Sequence, residues 1–382
     1  MSRINSYVGL TWDHPRGYVA LERAAAQAQA KGLSLRWERQ PLEGFESHPI
    51  EKLAERYDVI VLDHPHLGDA VHGQCLQPLE SIFDATDIAQ WRAQSIGQAF
   101  ASYGYAGQHW ALPLDAASQV AVMRPDLIEE PAPKSWVQVG ELAGRHDVCL
   151  SLAGPHALLT LFSISAAFGE APVSRGPETL LVGDGAVQAW DVLSELYGRS
   201  FKGWLGKNPI GLLQAMSQNT EAVYCPLVFG YVTYAAPSDG SHRLQFVDVP
   251  AGPGGLLGST LGGTGIGISR RTKVNDQLKA HLVDLLSLRT QAQYIPFADG
   301  QPSARNAWAD TAVNTAWNDF FAGTSATLEK ALVRPRHPGY VPFQTQASAL
   351  VRQALEDHHS AAQILGALQA LYEQHRPPNS EV

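Results

Sequence analysis

Apolar and polar positions first organise themselves at Tyr7, Val8, Leu10 and Trp12, a short apolar run that Asp13-His14-Pro15 stops before the alanine-rich stretch Gly17 to Lys31. The run predicts a buried strand, and Pro15 suits the first turn of a helix, so the order is strand, polar turn, helix. Leu33 to Glu38 predicts a second strand and Ile50 to Arg56 a helix. Asp58 to Leu62 (DVIVL) predicts a third strand, and it ends in the same tripeptide, Asp63-His64-Pro65. Strands alternating with helices predict an α/β fold. In open parallel sheets ligands bind outside the carboxyl ends of strands, near the point where strand order reverses. With Leu33 to Glu38 outermost the order is 2-1-3, and the two Asp-His corners become neighbours at a strand spacing of about 4.8 Å.

Helix is expected through about Tyr103. Tyr105 to Leu114 then reads as a hairpin with Gly107-Gln108 at the turn. Leu112-Pro113-Leu114-Asp115 is extended, because the residue before proline avoids helical dihedrals, and the chain is expected to cross to a second lobe there. Val120 to Met123 and Val148 to Leu152 predict strands. Ser135 is a good N-cap for a helix ending near Gly144, Ala157 to Phe168 predicts a buried helix, and Ala186 to Tyr197 and Pro209 to Met216 predict two more. Leu261 to Ser269 is glycine-rich but lacks the order of a dinucleotide or phosphate loop; its alternating Ile and Gly suit a strand passing close to another backbone. Helices are expected at Val274 to Leu288, Val313 to Phe321, Thr327 to Leu332, Phe343 to Leu355 and Ala361 to His375, with a frayed tail from Pro377.

A chain of 382 residues exceeds what one hydrophobic core usually supports, so two lobes are expected. The predicted division is 1–112 plus about 262–300 for the first lobe and 113–261 plus about 301–340 for the second, with 341–382 as helices packing on them. Hydrophobic content of 45% with 17% charged residues describes an ordinary globular protein. A formal charge of −9, without a basic stripe, argues against nucleic acid or an anionic membrane as partner. Cys75, Cys149 and Cys225 have no metal-type spacing and read as buried free thiols. Met1 to Asn5 leads directly into the first strand with no apolar run of a signal peptide, and no segment approaches a span of about 20 apolar residues. The encoded chain therefore reads as cytoplasmic and not membrane-inserted, or as periplasmic where a leader has been removed.

Asp13, His14, Asp63 and His64 place two carboxylates and two imidazoles at one sheet edge. Three uses remain open. They could hydrogen-bond a polar ligand, act as Asp-oriented His acid/base pairs for proton abstraction or elimination, or serve only as caps and turn residues. As metal ligands the donors suit zinc or iron, but adjacent residues rarely both reach one ion, so neither a metal nor a cofactor is assigned. Arg16 in the first helical turn is placed to meet an anionic group. Asp115 and Gln119 flank the crossing, Trp12 could stack on a flat ligand, and Arg305, Trp308 and Arg334 could reach the cleft from later segments. The segment Tyr224 to Tyr234 brings Tyr224, Phe229, Tyr231 and Tyr234 into a stretch with Pro and Gly, suited to a binding wall or, for Phe229 especially, to a core. No nucleophile motif accompanies Ser118 or Cys225.

The order of pieces resembles the family 1 extracellular solute-binding proteins, the receptors of ABC importers. It rests on the first strand and helix, Asp58 to Leu62, Leu76-Gln77-Pro78-Leu79-Glu80, Ala111-Leu112-Pro113-Leu114-Asp115, Pro133-Lys134-Ser135-Trp136, and the strand Gly263 to Ser269. Gly9 to Gly17 and Tyr224 to Tyr231 are similar to a subgroup of that family without leaders. The resemblance implies a two-lobe, type II periplasmic-binding-protein-like α/β fold that closes by hinge bending on a small polar ligand, a sugar or small organic acid, with an ABC permease as partner. The alternative is a cytosolic lyase or hydrolase on the same scaffold, using the Asp-His pairs.

Overall fold

In the computed structural model, residues 6–237 and 240–377 are described. The expected frayed tail, beyond Pro377, lies outside them. Among the described residues nine strands run in order: β1 (Ser6–Trp12), β2 (Ser34–Gln40), β3 (Val59–Leu62), β4 (Gly104–Tyr105), β5 (Gln108–His109), β6 (Ala111–Met123), β7 (Tyr224–Phe229), β8 (Gln245–Val247) and β9 (Leu261–Ile268). All but β4 and β5 belong to one sheet, ordered β2-β1-β3-β9-β6-β7 with β8 also beside β6. Parallel pairing of β1 with both β2 and β3 gives the expected 2-1-3 order and sets the ends of β1 and β3 side by side.

The two-lobe α/β fold hangs on β6. All 13 of its residues are buried. Its first part, Ala111 to Ser118, pairs with β9, and Gln119 to Met123 pairs with β7 and β8. Val120 to Met123 is thus not a separate strand but the far end of the crossing one. The ladder slips twice, between Pro113 and Asp115 and between Val120 and Val122. Pro113 has no N–H to donate, which accounts for the first slip. Just past the slip, opposite Ala116, Gly263 has φ +92°, and a Cβ there would stand 2.5 Å from the Asp115 carbonyl oxygen, so only glycine fits. Two hydrophobic clusters sit on one side of this crossing, around Leu21, Val61 and Ile266 and around Ile60 and Tyr103. Two sit on the other, around Phe162, Trp190 and Tyr340 and around Val120, Cys225 and Phe320. The buried helix His156–Ala167 and the late helices Tyr340–Glu356 and Ala361–His375 contribute to the third of these.

Some local expectations shift. The short hairpin turns at Ala106 and Gly107, φ +49° and +75°, one residue earlier than expected, because a two-residue hairpin wants positive φ at both central positions. Val148 to Leu152 makes a single bridge, Val148 to Tyr224, and is held mainly by core packing. The helix expected over Val274 to Leu288 is two, Asp276–Leu285 and Leu288–Gln293, since Ser287 caps the second by accepting from the Thr290 N–H at 3.2 Å. Asn318 and Asp319, both at positive φ, separate Thr311–Ala316 from Phe320–Lys330. Leu332 leaves the helix and hydrogen-bonds Ser259 and Leu261 instead.

Candidate functional site

Both Asp-His corners lie at the carboxyl edge of β1 and β3, but each side chain has a different task. His14 is extended (φ −147°) and caps helix α1 (Pro15–Gln29), its Nδ1 accepting the Arg16 N–H at 3.2 Å. The neutral ring therefore carries its proton on Nε2. Its imidazole meets Tyr231 edge-on at 4.7 Å, with Tyr234 at 6.4 Å, both from the loop after β7. Burial, reinforced by the Arg16 charge, brings His14 down to about 3. Asp13 turns away: its side chain is 60% exposed and faces Arg39 at 3.5 Å.

Arg16 reaches across the seam. Its Nε and Nη2 donate to the two Asp115 oxygens at 2.9 and 2.5 Å, and Nη1 donates to the Gly230 carbonyl at 3.1 Å. The guanidinium stands 4.8 Å from the Tyr231 ring centre and 5.9 Å from that of Trp12. Burial disfavours its charge, but the paired Asp115 outweighs this and holds it above the usual arginine range.

At the second corner Asp63 accepts the His64 N–H at 2.8 Å and a hydrogen bond from Arg334 Nη2. Arg334 also donates from Nη1 to Gln344 at 3.2 Å, and its backbone N–H donates to His64 Nε2 at 3.3 Å. His64 thus keeps its proton on Nδ1, 3.0 Å from Asp63 Oδ1. Burial pushes the Asp63 carboxyl up, yet Arg334 and then His64 outweigh it and hold it well below the usual range. Burial and Arg334 bring His64 down to about 4.

Between the lobes remains a gap of about 20 Å³, lined by Glu46, Asp63, His66, His156, Phe229 and Arg334 among others. Glu46 comes from the short helix Leu42–Ser47 on one side; His156 opens the buried helix on the other, with its Nε2 3.2 Å from Glu46 Oε1. Nδ1 of His156 and Nε of Arg334 are buried without a hydrogen-bond partner, whereas Nε2 of His156 faces the Glu46 carboxylate. Phe229 meets the His156 ring at 5.6 Å. A larger groove of about 580 Å³, lined by Lys31, His281 and Arg289, lies at the far end of α1 from these corners.

The structure brings Trp12, His14, Arg16, Asp63, His64, Asp115, Phe229, Tyr231, Tyr234 and Arg334 to this seam, turns Asp13 away toward Arg39, and places the other sequence candidates elsewhere. Gln119 is fully buried in β6, tied to Thr160 and Ser163 of the buried helix. Tyr224 is fully buried in a core. Trp308 donates to the Pro302 carbonyl and packs on Phe321 at 5.0 Å. Arg305 pairs with Glu329 at the surface. Glu46, His66, His156 and Gln344 carried no motif in the sequence. Among the described residues, no cluster of His, Cys, Asp and Glu is arranged to hold a metal ion, and no helix is long and apolar enough to cross a membrane.

No protein-family model and no curated protein sequence matches the chain. Solved structures do. The maltose-bound MalE3 of T. maritima is 17% identical with a TM-score of 0.80, covering 97% of this chain and 99% of that one. An ABC transporter solute-binding protein from Agrobacterium radiobacter K84, in complex with ribitol, is 18% identical with a TM-score of 0.80, covering 97% and 98%. The GacH receptor of Streptomyces glaucescens, solved unliganded and with acarbose, is 16% identical with a TM-score of 0.77, covering 98% and 99%. At such identities the likeness shows the fold: a two-lobe, periplasmic-binding-protein-like scaffold over nearly the whole chain.

Proposed function

We propose that this protein is a solute-binding receptor that closes on a small neutral polyhydroxylated ligand, a sugar or polyol, and serves an ABC permease. The observation that carries this reading is the pair of unpartnered buried polar atoms, His156 Nδ1 and Arg334 Nε, on residues that line one interlobe gap beside Glu46 and Phe229. Buried polar atoms are costly unless satisfied, and hydroxyl groups can both donate and accept. An organic acid suits the gap less well, because both nearby guanidiniums already pair with carboxylates, Arg16 with Asp115 and Arg334 with Asp63.

The gap itself has room for little more than one water, so the ligand must enter an opened form. We take the moving bodies to be 1–112 with about 262–300, and 113–261 with about 301–340; the clusters around Ile60 and around Phe162 each keep to one body, while Ile96 and Ala99 pack with Val120 and Phe320 of the other. The ligands bound by the structural neighbours, maltose, ribitol and acarbose, support the ligand class. Against an acid/base enzyme stand Asp13, which faces Arg39, and His64, whose Nε2 is already taken by the Arg334 N–H.

Titration calorimetry with maltose, ribitol, mannitol and acarbose, alongside native mass spectrometry of the protein as purified, tests this. At least one polyol should bind, and His156→Ala should weaken it by about 10- to 100-fold, the equivalent of about 1–3 kcal/mol for a lost buried hydrogen bond. A co-purifying carboxylate or phosphate, with no polyol binding, would refute the ligand class.

A further inference from the structure

We propose that His14 couples closure of the lobes to proton release: the lobes close on its neutral imidazole, and protonation of the ring drives them apart. The inference rests on the closure reading above but needs no ligand.

The argument is geometric. His14 stands at the seam with only 7% of its surface exposed, so the second lobe forms one wall of its site. On its own side, the Nδ1 lone pair is used by the Arg16 N–H. A proton on Nδ1 would set two donors face to face and remove the cap of α1. The new charge would also sit at the positive end of a helix dipole and beside the Arg16 guanidinium. The groups that face the ring can be named from each element packed on it. From the first corner come Asp13, turned to Arg39, and Arg16; from the loop after β7 come Tyr231 and Tyr234. From the crossing strand comes Asp115, whose two oxygens are already engaged by Arg16. None of these offers an uncommitted carboxylate to a protonated ring.

Opening changes that environment. Tyr231 and Tyr234 depart with the second lobe and water reaches the imidazole. His14 titrates at about 3 in the closed form, with burial as the main cause and Arg16 second, against an ordinary 6.5 once hydrated. The sign follows. A folded-state value below the reference means the closed form binds fewer protons, so closure is fully favoured above pH 6.5 and is lost as pH falls toward 3. At pH 5 the closed-to-open ratio should stand about thirty-fold below its value at pH 8.

Nitroxides at Lys52→Cys and Gln188→Cys, in a Cys75→Ser background, would report the distance between lobes in ligand-free protein at pH 8, 6 and 5. The short distance should dominate at pH 8 and give way to a longer one at pH 5. His14→Asn, which keeps a capping acceptor but does not titrate, should flatten the profile. An unchanged profile in His14→Asn overturns the proposal, because His64, His66 or His156 would then be the responsible group; so does a wild-type ratio that is flat between pH 8 and 5. Lobes apart at every pH would sink closure itself, whereas failure of the polyol titrations alone would leave this result standing. Nitrogen NMR of the wild-type ring serves independently of any variant: His14 should gain its proton only as the lobes part, and protonation at pH 5 with the short interlobe distance retained would overturn the assignment.

Discussion

Replacing Asp115 by alanine isolates what the buried Arg16–Asp115 pair contributes. Both side chains are only 4% exposed, and the carboxylate takes two of the guanidinium's hydrogen bonds. Removing one partner of such a pair leaves an uncompensated charge and costs about 3–5 kcal/mol, far more than a surface pair would. Were that loss felt wholly in unfolding, a chain of 382 residues with about 2.1 cal/mol/K of unfolding entropy per residue would melt about 4–6 °C lower. The proposed closure adds a second response: parting the lobes would hydrate Arg16 and relieve the penalty. Most of the effect should therefore appear as opening, with the closed-to-open ratio falling by more than about a hundredfold, and the melting shift should be the smaller part. The double substitution Arg16→Leu with Asp115→Leu should recover most of the closed population, since apolar side chains of similar volume can replace a buried ion pair at little cost. Differential scanning fluorimetry and the interlobe distance measurement read the two responses separately. Asp115→Ala protein with an unchanged distance distribution and a melting point within about 1 °C of wild type would refute the reasoning.

Two further outcomes follow from the geometry. Asp63→Asn strips Arg334 of its carboxylate and should cost about 1.5–3 kcal/mol at neutral pH, read by urea unfolding. Because the Asp63 carboxyl is held below its ordinary 3.8, its stabilisation is complete above that value and fades as pH drops beneath it. The deficit of the variant should therefore narrow only below about pH 4, and a deficit that disappears already at pH 6 would exclude this pair as its source. Gly263→Ala adds a Cβ 2.5 Å from the Asp115 oxygen and 2.9 Å from the Ala116 Cα at φ +92°, and should destabilise by about 1–3 kcal/mol; wild-type stability would show that the crossing strands can yield there.

Much of the scaffold was legible because its signals are local. The run at Tyr7 to Trp12, the repeated Asp-His-Pro and the DVIVL strand are enough to order three strands, and the alternating Ile and Gly of Leu261 to Ile268 mark a strand lying close to others. Backbone breaks were harder. Asn318 and Asp319 adopt positive φ, and the only signal of that break is the pair of residue types, Asn and Asp, that tolerate it. The candidate site divides the same way. Residues next to the two corners could be found, but Glu46 and His156 are 110 positions apart in the sequence and meet only when the lobes do. Arg305 and Trp308 looked equally available, yet one is held by Glu329 at the surface and the other by an aromatic core, partners that spacing does not reveal.

The long strand β6 carries one last implication, for anyone wishing to produce either lobe alone. On the proposed division the chain passes between lobes through β6, at the start of β9 and again near Gln301, whose carbonyl accepts the Ala116 N–H at 3.0 Å. Neither proposed lobe is then a continuous stretch of polypeptide. Severing β6 would bare a row of unpaired amides and carbonyls along β9 on one fragment and along β7 on the other, edges prone to recruit strands from other molecules. Excised lobes should aggregate unless that missing strand is supplied, whether by a co-expressed fragment or by a rejoined, permuted chain.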